Sequence, residues 1–279
     1  MVKDSVAKAA DNNPLLAEQR LSIVTQLALW ADLIGHDLDA GSLFTPEFID
    51  RFVTEGCAHL SDGTRLNYRS QLWKIGAAVA GAKLFPPRSV PLKRSDLSDP
   101  YSQDEVIELV SWSRGLSTEH MRRNCRVLLA LALGAGLKKQ QITRLVGTDV
   151  QHDEGDVLVR VLGDCGQLDR IVPVHHLWAD EVLQLAEESG KRPLFRPDRR
   201  RIARGDISNF IQTCSGQGLP KFNVQRLRIT WIVGHLTAGT HLSALVEASG
   251  VAAIQLVKYL DYVDPLDDAQ ARRMMVGRA

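Results

Sequence analysis

Long apolar runs are missing from this sequence. No window of about eighteen consecutive apolar residues occurs, so no membrane-spanning helix is expected. The opening residues, MVKDSVAKAADNN, lack an apolar core of the secretory type, which points to the cytoplasm. Cysteine is sparse. Cys57, Cys125, Cys165 and Cys214 stand far apart with no CxxC pair, and so read as buried small apolar residues rather than metal ligands or disulfide partners. An excess of one charge is also lacking, since 34 Lys and Arg face 33 Asp and Glu. That balance gives no footprint of an obvious nucleic-acid binder, but it leaves room for charge gathered locally on one face. Internal repeats and low-complexity tracts are absent as well.

What is present is an ordinary globular composition, 44% hydrophobic and 24% charged over 279 residues, enough for two compact domains or one large one. Basic residues crowd the stretch KRPLFRPDRRRIARGD, which holds Arg192, Arg196, Arg199, Arg200, Arg201 and Arg204. This run reads either as a solvated loop or as a surface for phosphate. Acidic residues gather elsewhere, in QHDEGD and DPLDD.

From Pro14 to Ile34 the apolar positions Leu16, Ile23, Leu27, Trp30 and Ile34 recur at helical spacing and mark one buried face. Thr45, with Glu47 close behind, signals a second helix start. SDGT is expected to end that element, and TRLNYRSQLWKIGAAVAGA to form a third helix bearing Arg65, Arg69 and Lys74. Four prolines fall within LFPPRSVPLKRSDLSDP, too many for a helix, and this tether also carries Lys93 and Arg94. Beyond it, SQDEVIELVSWSRG has a serine cap and an acidic first turn, and CRVLLALALGAGL is apolar on nearly every side, as a central core helix must be. The valine-rich alternation of DVLVRVLGDCGQLDRIVPV predicts an antiparallel hairpin. Helical patterns resume at His176 and continue to Tyr262.

At GLKKQQITRLVGTDV, Gly136 to Val150, the residues resemble a motif of the tyrosine recombinases, the phage-integrase family, of the form GLRxxELxxLxxxDV. Gly136, Leu137, Leu145, Asp149 and Val150 match in register, while Lys138 replaces the arginine and Gln141 the glutamate. The family's RxVPL is matched by Arg170, Val172, Pro173 and Val174. Its HxLRH box is matched by Leu227 and Arg228, with Gln225 in place of the first histidine and Ile229 in place of the second. Gly239 follows, then Gly250 at the position of a further histidine eleven residues on, and Tyr259 nine residues later, at the position of the nucleophile.

The resemblance implies a mainly α fold with a small antiparallel β-hairpin or sheet. A helical, SAM-like core-binding domain over 1–84 would be joined by a proline-rich linker over 85–100 to an integrase-like domain of the catalytic type over 101–279. Together the domains would grip duplex DNA from opposite faces. It implies double-stranded DNA as partner, association with further recombinase subunits of the same or another kind, no membrane, and no metal or other cofactor. The tail after Tyr259, DYVDPLDDAQARRMMVGRA, would dock on a neighbouring protomer. Phosphate contacts are expected from Arg65, Arg69, Lys74, Lys93, Arg94, Lys138, Arg199, Arg200 and Arg228.

In the family a tyrosine attacks a phosphodiester and is left in a 3′-phosphotyrosyl bond. Two arginines hold the non-bridging oxygens, a hairpin lysine acts as general acid, and histidines assist proton transfer. Here the candidate catalytic set is Tyr259, Arg228 and Lys138. Lys138 keeps a charge but loses the fork that grips two oxygens at once. No lysine lies between Val157 and Val174, where Asp164 and Gln167 stand near its place. Gln225 and Gly250 cannot exchange protons. A missing acid or base costs roughly 10²- to 10⁴-fold, and a missing charge-stabilising donor roughly 10²- to 10³-fold. The expectation is a degenerate site that binds without cutting, with His175, His176, His235 and His241 as the groups near enough to rescue proton transfer.

Overall fold

The computed structural model describes residues 14–85, 98–163, 169–199, 203, 205–214 and 221–276. It is mainly helical, with one small antiparallel sheet, and divides into two compact units, Met1–Leu97 and Ser98–Ala279. Lys93, Arg94 and Arg200 lie outside the described residues, as do Cys165 and the two hairpin positions Asp164 and Gln167.

In the first unit α1 (Pro14–Leu33) is followed by a short α2 (Ala40–Leu43), α3 (Pro46–Arg51), a π-helical turn over Phe52–Gly56 and α4 (Asp62–Ala80). Thr45 caps α3 as its residue type dictates, its hydroxyl accepting the Phe48 N–H at 3.3 Å. SDGT behaves differently from expectation. Ser61 Oγ accepts the Thr64 N–H at 3.3 Å, so the stretch opens α4 rather than closing the preceding element. Ile23 and Leu27 turn inward as their spacing demands and meet Leu43, Phe48, Leu72 and Ile75 in one core. Phe85, assigned from the sequence to the tether, belongs to that core. It is 5% exposed and sits edge-on to Trp73 at 5.1 Å between ring centroids.

The second unit is built on α6 (Glu119–Gly134), which follows α5 (Gln103–Arg114). Ser102 and Glu105 form the reciprocal cap of α5 that their sequence spacing signals. From Val127 to Gly134 every residue of α6 is buried. Next come the short α7 (Lys139–Ile142), a 3₁₀ turn over Gly147–Asp149, and strands β1 (Val150–Asp153), β2 (Asp156–Val161) and β3 (Arg170–Pro173). The strands lie in the order β1-β2-β3, both pairings antiparallel. The expected hairpin is the β2–β3 pair. The additional strand β1 turns into β2 through Glu154 and Gly155, at φ 48° and 96°, the left-handed pair that a tight two-residue hairpin loop requires. Val157, Val159 and Val161 alternate inward along β2.

Helices α8 (His176–Ser189), α9 (Asp206–Cys214), α10 (Val224–Thr237), α11 (Leu242–Ser249) and α12 (Ala253–Leu256) complete the unit with a 3₁₀ segment, Val257–Tyr262, and α13 (Asp268–Met275). The central α6 packs against α8 and α10, while α11 packs against β3. Cys57, Cys125 and Cys214 are buried free thiols, and burial pushes all three pKa values up. Among the described residues no helix is long and apolar enough to cross a membrane.

Candidate phosphate-binding site

Arg228 rides on α10, and the start of that helix is firmly held. Asn223 Oδ1 accepts the Gln225 N–H at 2.9 Å, a standard amide cap. The buried Tyr101 hydroxyl accepts the Asn223 N–H at 3.0 Å and donates to the Lys221 carbonyl, and Tyr101 N–H donates to Thr230 Oγ1 at 2.8 Å. The Arg226 guanidinium lies 3.9 Å from the centre of the Tyr101 ring and donates to Glu105 at 2.7 Å. Leu227, Ile229 and Ile232 bury the remaining faces.

So placed, Arg228 is 2% exposed. Its Nη1 donates to the Gly136 carbonyl and its Nη2 to the Ser249 carbonyl at 2.8 Å. Gly136 is a conformational necessity. It ends α6 at φ 59°, and a Cβ there would collide with the Trp231 ring. The glycine of the GLKK motif thus lets α10 close on the end of α6 and turns a carbonyl toward Arg228. Lys138, two residues on, is half-buried, and its backbone N–H donates to Gln141 Oε1 at 2.9 Å. Gln141 therefore serves the local turn.

Arg170, the first residue of β3, reaches the same place. Its Nε donates to the Ala248 carbonyl at 3.0 Å and its Nη2 to that of Ser249 at 3.5 Å. Gly250 caps α11 in the left-handed region, at φ 61°. A Cβ built on it would lie 3.1 Å from both Cζ and Nη1 of Arg170. The site thus gathers two guanidiniums around one peptide. Burial first, and the Arg170 charge second, pull Arg228 down to about 10, while Tyr259 opposes the fall. Burial lowers Arg170 too. Both stay cationic at neutral pH, and among the described residues no carboxylate pairs with either.

Tyr259 is 4% exposed, close enough to Arg228 to act on its charge, with Lys258 Nζ 4.8 Å from its ring centre. Gln225 is exposed at the start of α10. The histidines form a group of their own. His175 stacks on His176 at 4.4 Å, His235 meets His175 at 6.4 Å and Trp231 at 4.6 Å, and His235 Nδ1 lies 2.9 Å from Thr240 Oγ1. His241 Nδ1 lies 2.8 Å from Ser243 Oγ. Asp149 of the motif is a brace, its carboxylate accepting the Val146 N–H at 3.1 Å and Arg160 at 2.6 Å.

The remaining basic positions are mostly engaged within their own unit. Arg65 pairs with Asp62, and Arg69 holds Asp50 through two bonds of 2.6 and 2.5 Å. Lys74 is exposed. Arg199 donates to Asp206 at 3.3 Å and Arg196 Nη1 lies 3.6 Å from the same oxygen, so two arginines of the basic run are held by the first residue of α9. Arg170 is a site residue that the sequence alone does not single out. Its match to RxVPL was noted, but its proximity to Arg228 comes only from the pairing of β3 with β2 and the packing of α11.

No protein-family model matches the chain. Over 174 residues it is 35% identical to tyrosine recombinase XerA of Thermococcus kodakarensis, across 60% of this chain and 58% of that protein. The chain thus spans less than two thirds of that relative's length. Among solved structures it resembles the Tn1549 transposon integrase in complex with transposon right-end DNA, with a TM-score of 0.69 at 15% identity over 99% of each chain. A lambda integrase dimer bound to a core site superimposes with a TM-score of 0.64 at 13% identity, over 96% of this chain and 98% of that one. XerH recombinase bound to its difH substrate gives 0.65 at 14% identity, over 98% and 82%. The fold is that of the recombinase and integrase structures. Over 174 residues the sequence is likewise similar to that of a tyrosine recombinase.

Proposed function

We propose that this protein binds duplex DNA through its phosphates in site-specific recombination or integration, and that its own site is catalytically impaired. It would then act as a structural or accessory subunit beside other recombinase protomers. The observation that carries the reading is the buried Arg228 beside the half-buried Arg170, two cations without a carboxylate partner among the described residues, next to positions that cannot move protons. Uncompensated buried charge is costly, and a phosphodiester oxygen is the partner that would relieve it. Proton transfer is what the site lacks, because Gly250 has no side chain and Gln225 has no titrating group. Lys138 would add charge at the rim.

Further phosphate contacts are assigned to Lys74, Arg65 and Arg69 of the third sequence-predicted helix, to Lys93 and Arg94 of the proline-rich stretch, and to Arg199 and Arg200 of the basic run. For Arg65, Arg69 and Arg199 a phosphate must compete with Asp62, Asp50 and Asp206. Helix α13 has no buried residue and its Met275 is 88% exposed, which suits docking of this tail on a neighbouring protomer.

Salt-dependent binding tests the reading. Affinity for duplex DNA should fall linearly on logarithmic axes as salt rises, because each neutralised phosphate releases counterions. Absent or salt-insensitive binding would refute it. A second reading, an active recombinase, draws support from the nearness of Tyr259 to Arg228.

A further inference from the structure

Gly250 and Arg170 are fitted to each other. The glycine's missing side chain is the space beside the guanidinium, since a Cβ on residue 250 would stand 3.1 Å from Cζ and Nη1 and 3.4 Å from Nε. Such separations are tighter than a side chain accepts without the arginine moving. Nε and Nη2 are aimed at the carbonyls of Ala248 and Ser249, and Arg228 Nη2 donates to the same Ser249 oxygen at 2.8 Å. Three donors from two arginines thus converge on one turn of backbone.

That arrangement does more than brace β3 against α11. A brace needs one donor and no charge, whereas this one brings a second guanidinium beside a buried one, a like-charge contact that costs stability. The cost is repaid when an anion with two acceptor oxygens arrives. Arg170 also lines a cavity of about 730 Å³ together with Arg160, Ile171, Val246, Gly250 and Val251. Asp169 and Glu247 share that lining, and one Asp169 oxygen accepts the Gly163 N–H at 2.9 Å. Arg160 is tied to Asp149, which leaves Arg170 as the lining arginine without a carboxylate partner among the described residues.

We propose that Arg170 is a second phosphate-holding cation of this site, sharing one phosphodiester with Arg228, and that glycine at position 250 is what admits it. The inference rests on the reading that the site binds DNA phosphate. Glycine at position 250 leaves open the space in which the guanidinium lies. Arg170 acts directly on the phosphate, and its bonds to Ala248 and Ser249 fix its direction.

The test measures equilibrium binding of the full chain to a mixed-sequence duplex across a salt series, with thermal unfolding in parallel. It compares the wild type with Arg170→Gln, Arg170→Lys and Gly250→Asn. Asparagine tolerates the left-handed backbone, so the last variant fills the arginine's space with the least strain. Arg170→Gln should bind about tenfold more weakly near 0.1 M salt and lose about 0.9 from the salt slope, the value of one phosphate contact. Gly250→Asn should follow it, and Arg170→Lys should keep most of the slope. Lowered stability with wild-type affinity and slope in both Arg170→Gln and Gly250→Asn would overturn the inference while leaving the DNA-binding reading intact. Failure of the wild type itself to bind with salt dependence would remove that reading and this inference together. Should Arg170→Gln fail to fold, the slopes of Arg170→Lys and Gly250→Asn decide alone.

Discussion

Arg228 and Ser249 are joined by a hydrogen bond of 2.8 Å that ties the middle of α10 to the last residue of α11. The other arm of the same guanidinium grips the Gly136 carbonyl at the end of α6. One buried side chain therefore holds three segments together, and its geometry depends on glycine at 136.

Gly136→Ala should destabilise the second unit by about 2 to 5 kcal/mol. Overfilling a packed contact costs about 1 to 3 kcal/mol, and the left-handed backbone adds about 1 to 2 kcal/mol for a residue with a Cβ. Urea denaturation monitored by Trp fluorescence measures it. A loss under 1 kcal/mol would show that Trp231 can move aside freely, so that Gly136 does not fix the approach of α10.

Tyr101→Phe removes a hydroxyl that serves both the Lys221 carbonyl and the Asn223 N–H. Leaving such groups unpaired costs about 1 to 3 kcal/mol. The urea midpoint should fall without a change in m-value. Because Asn223 caps α10, DNA binding should weaken as well. An unaltered midpoint would mean that water replaces the hydroxyl and the clasp is dispensable.

Stability should decline as pH drops below about 6.5, the ordinary histidine value. Burial holds His235 below that value and His175 adds to the effect, while His175 is itself lowered by burial and by His176. Above the ordinary value both folded and unfolded chains are neutral at these positions. Below it the unfolded chain takes up protons that the folded one resists, so the unfolded state gains. His235→Gln should flatten the loss measured between pH 7.5 and 5.5. The same pH slope in both proteins would count against this assignment.

Much of this fold could be read from local sequence, because local rules govern it. The Ser102–Glu105 cap, the apolar α6 and the β2 alternation each act within a few residues. The turn at Glu154–Gly155 is equally local, yet its acidic neighbours make it resemble a solvated charge cluster, which hides β1. SDGT is ambiguous in sequence because it serves as a loop and as a helix start alike, and only the Thr64 N–H bonded to Ser61 distinguishes them. The partnership of Arg170 with Ala248 spans 78 residues and had no signal in the chain.

The most direct measurement concerns chemistry at Tyr259. Nicked duplexes selected for tight binding from a random-sequence pool would be incubated with the wild type and with Tyr259→Phe, then resolved under denaturing conditions. The account predicts retained DNA with no covalent adduct from either protein. A protein–DNA adduct formed by the wild type and abolished in Tyr259→Phe would contradict it and establish an active recombinase.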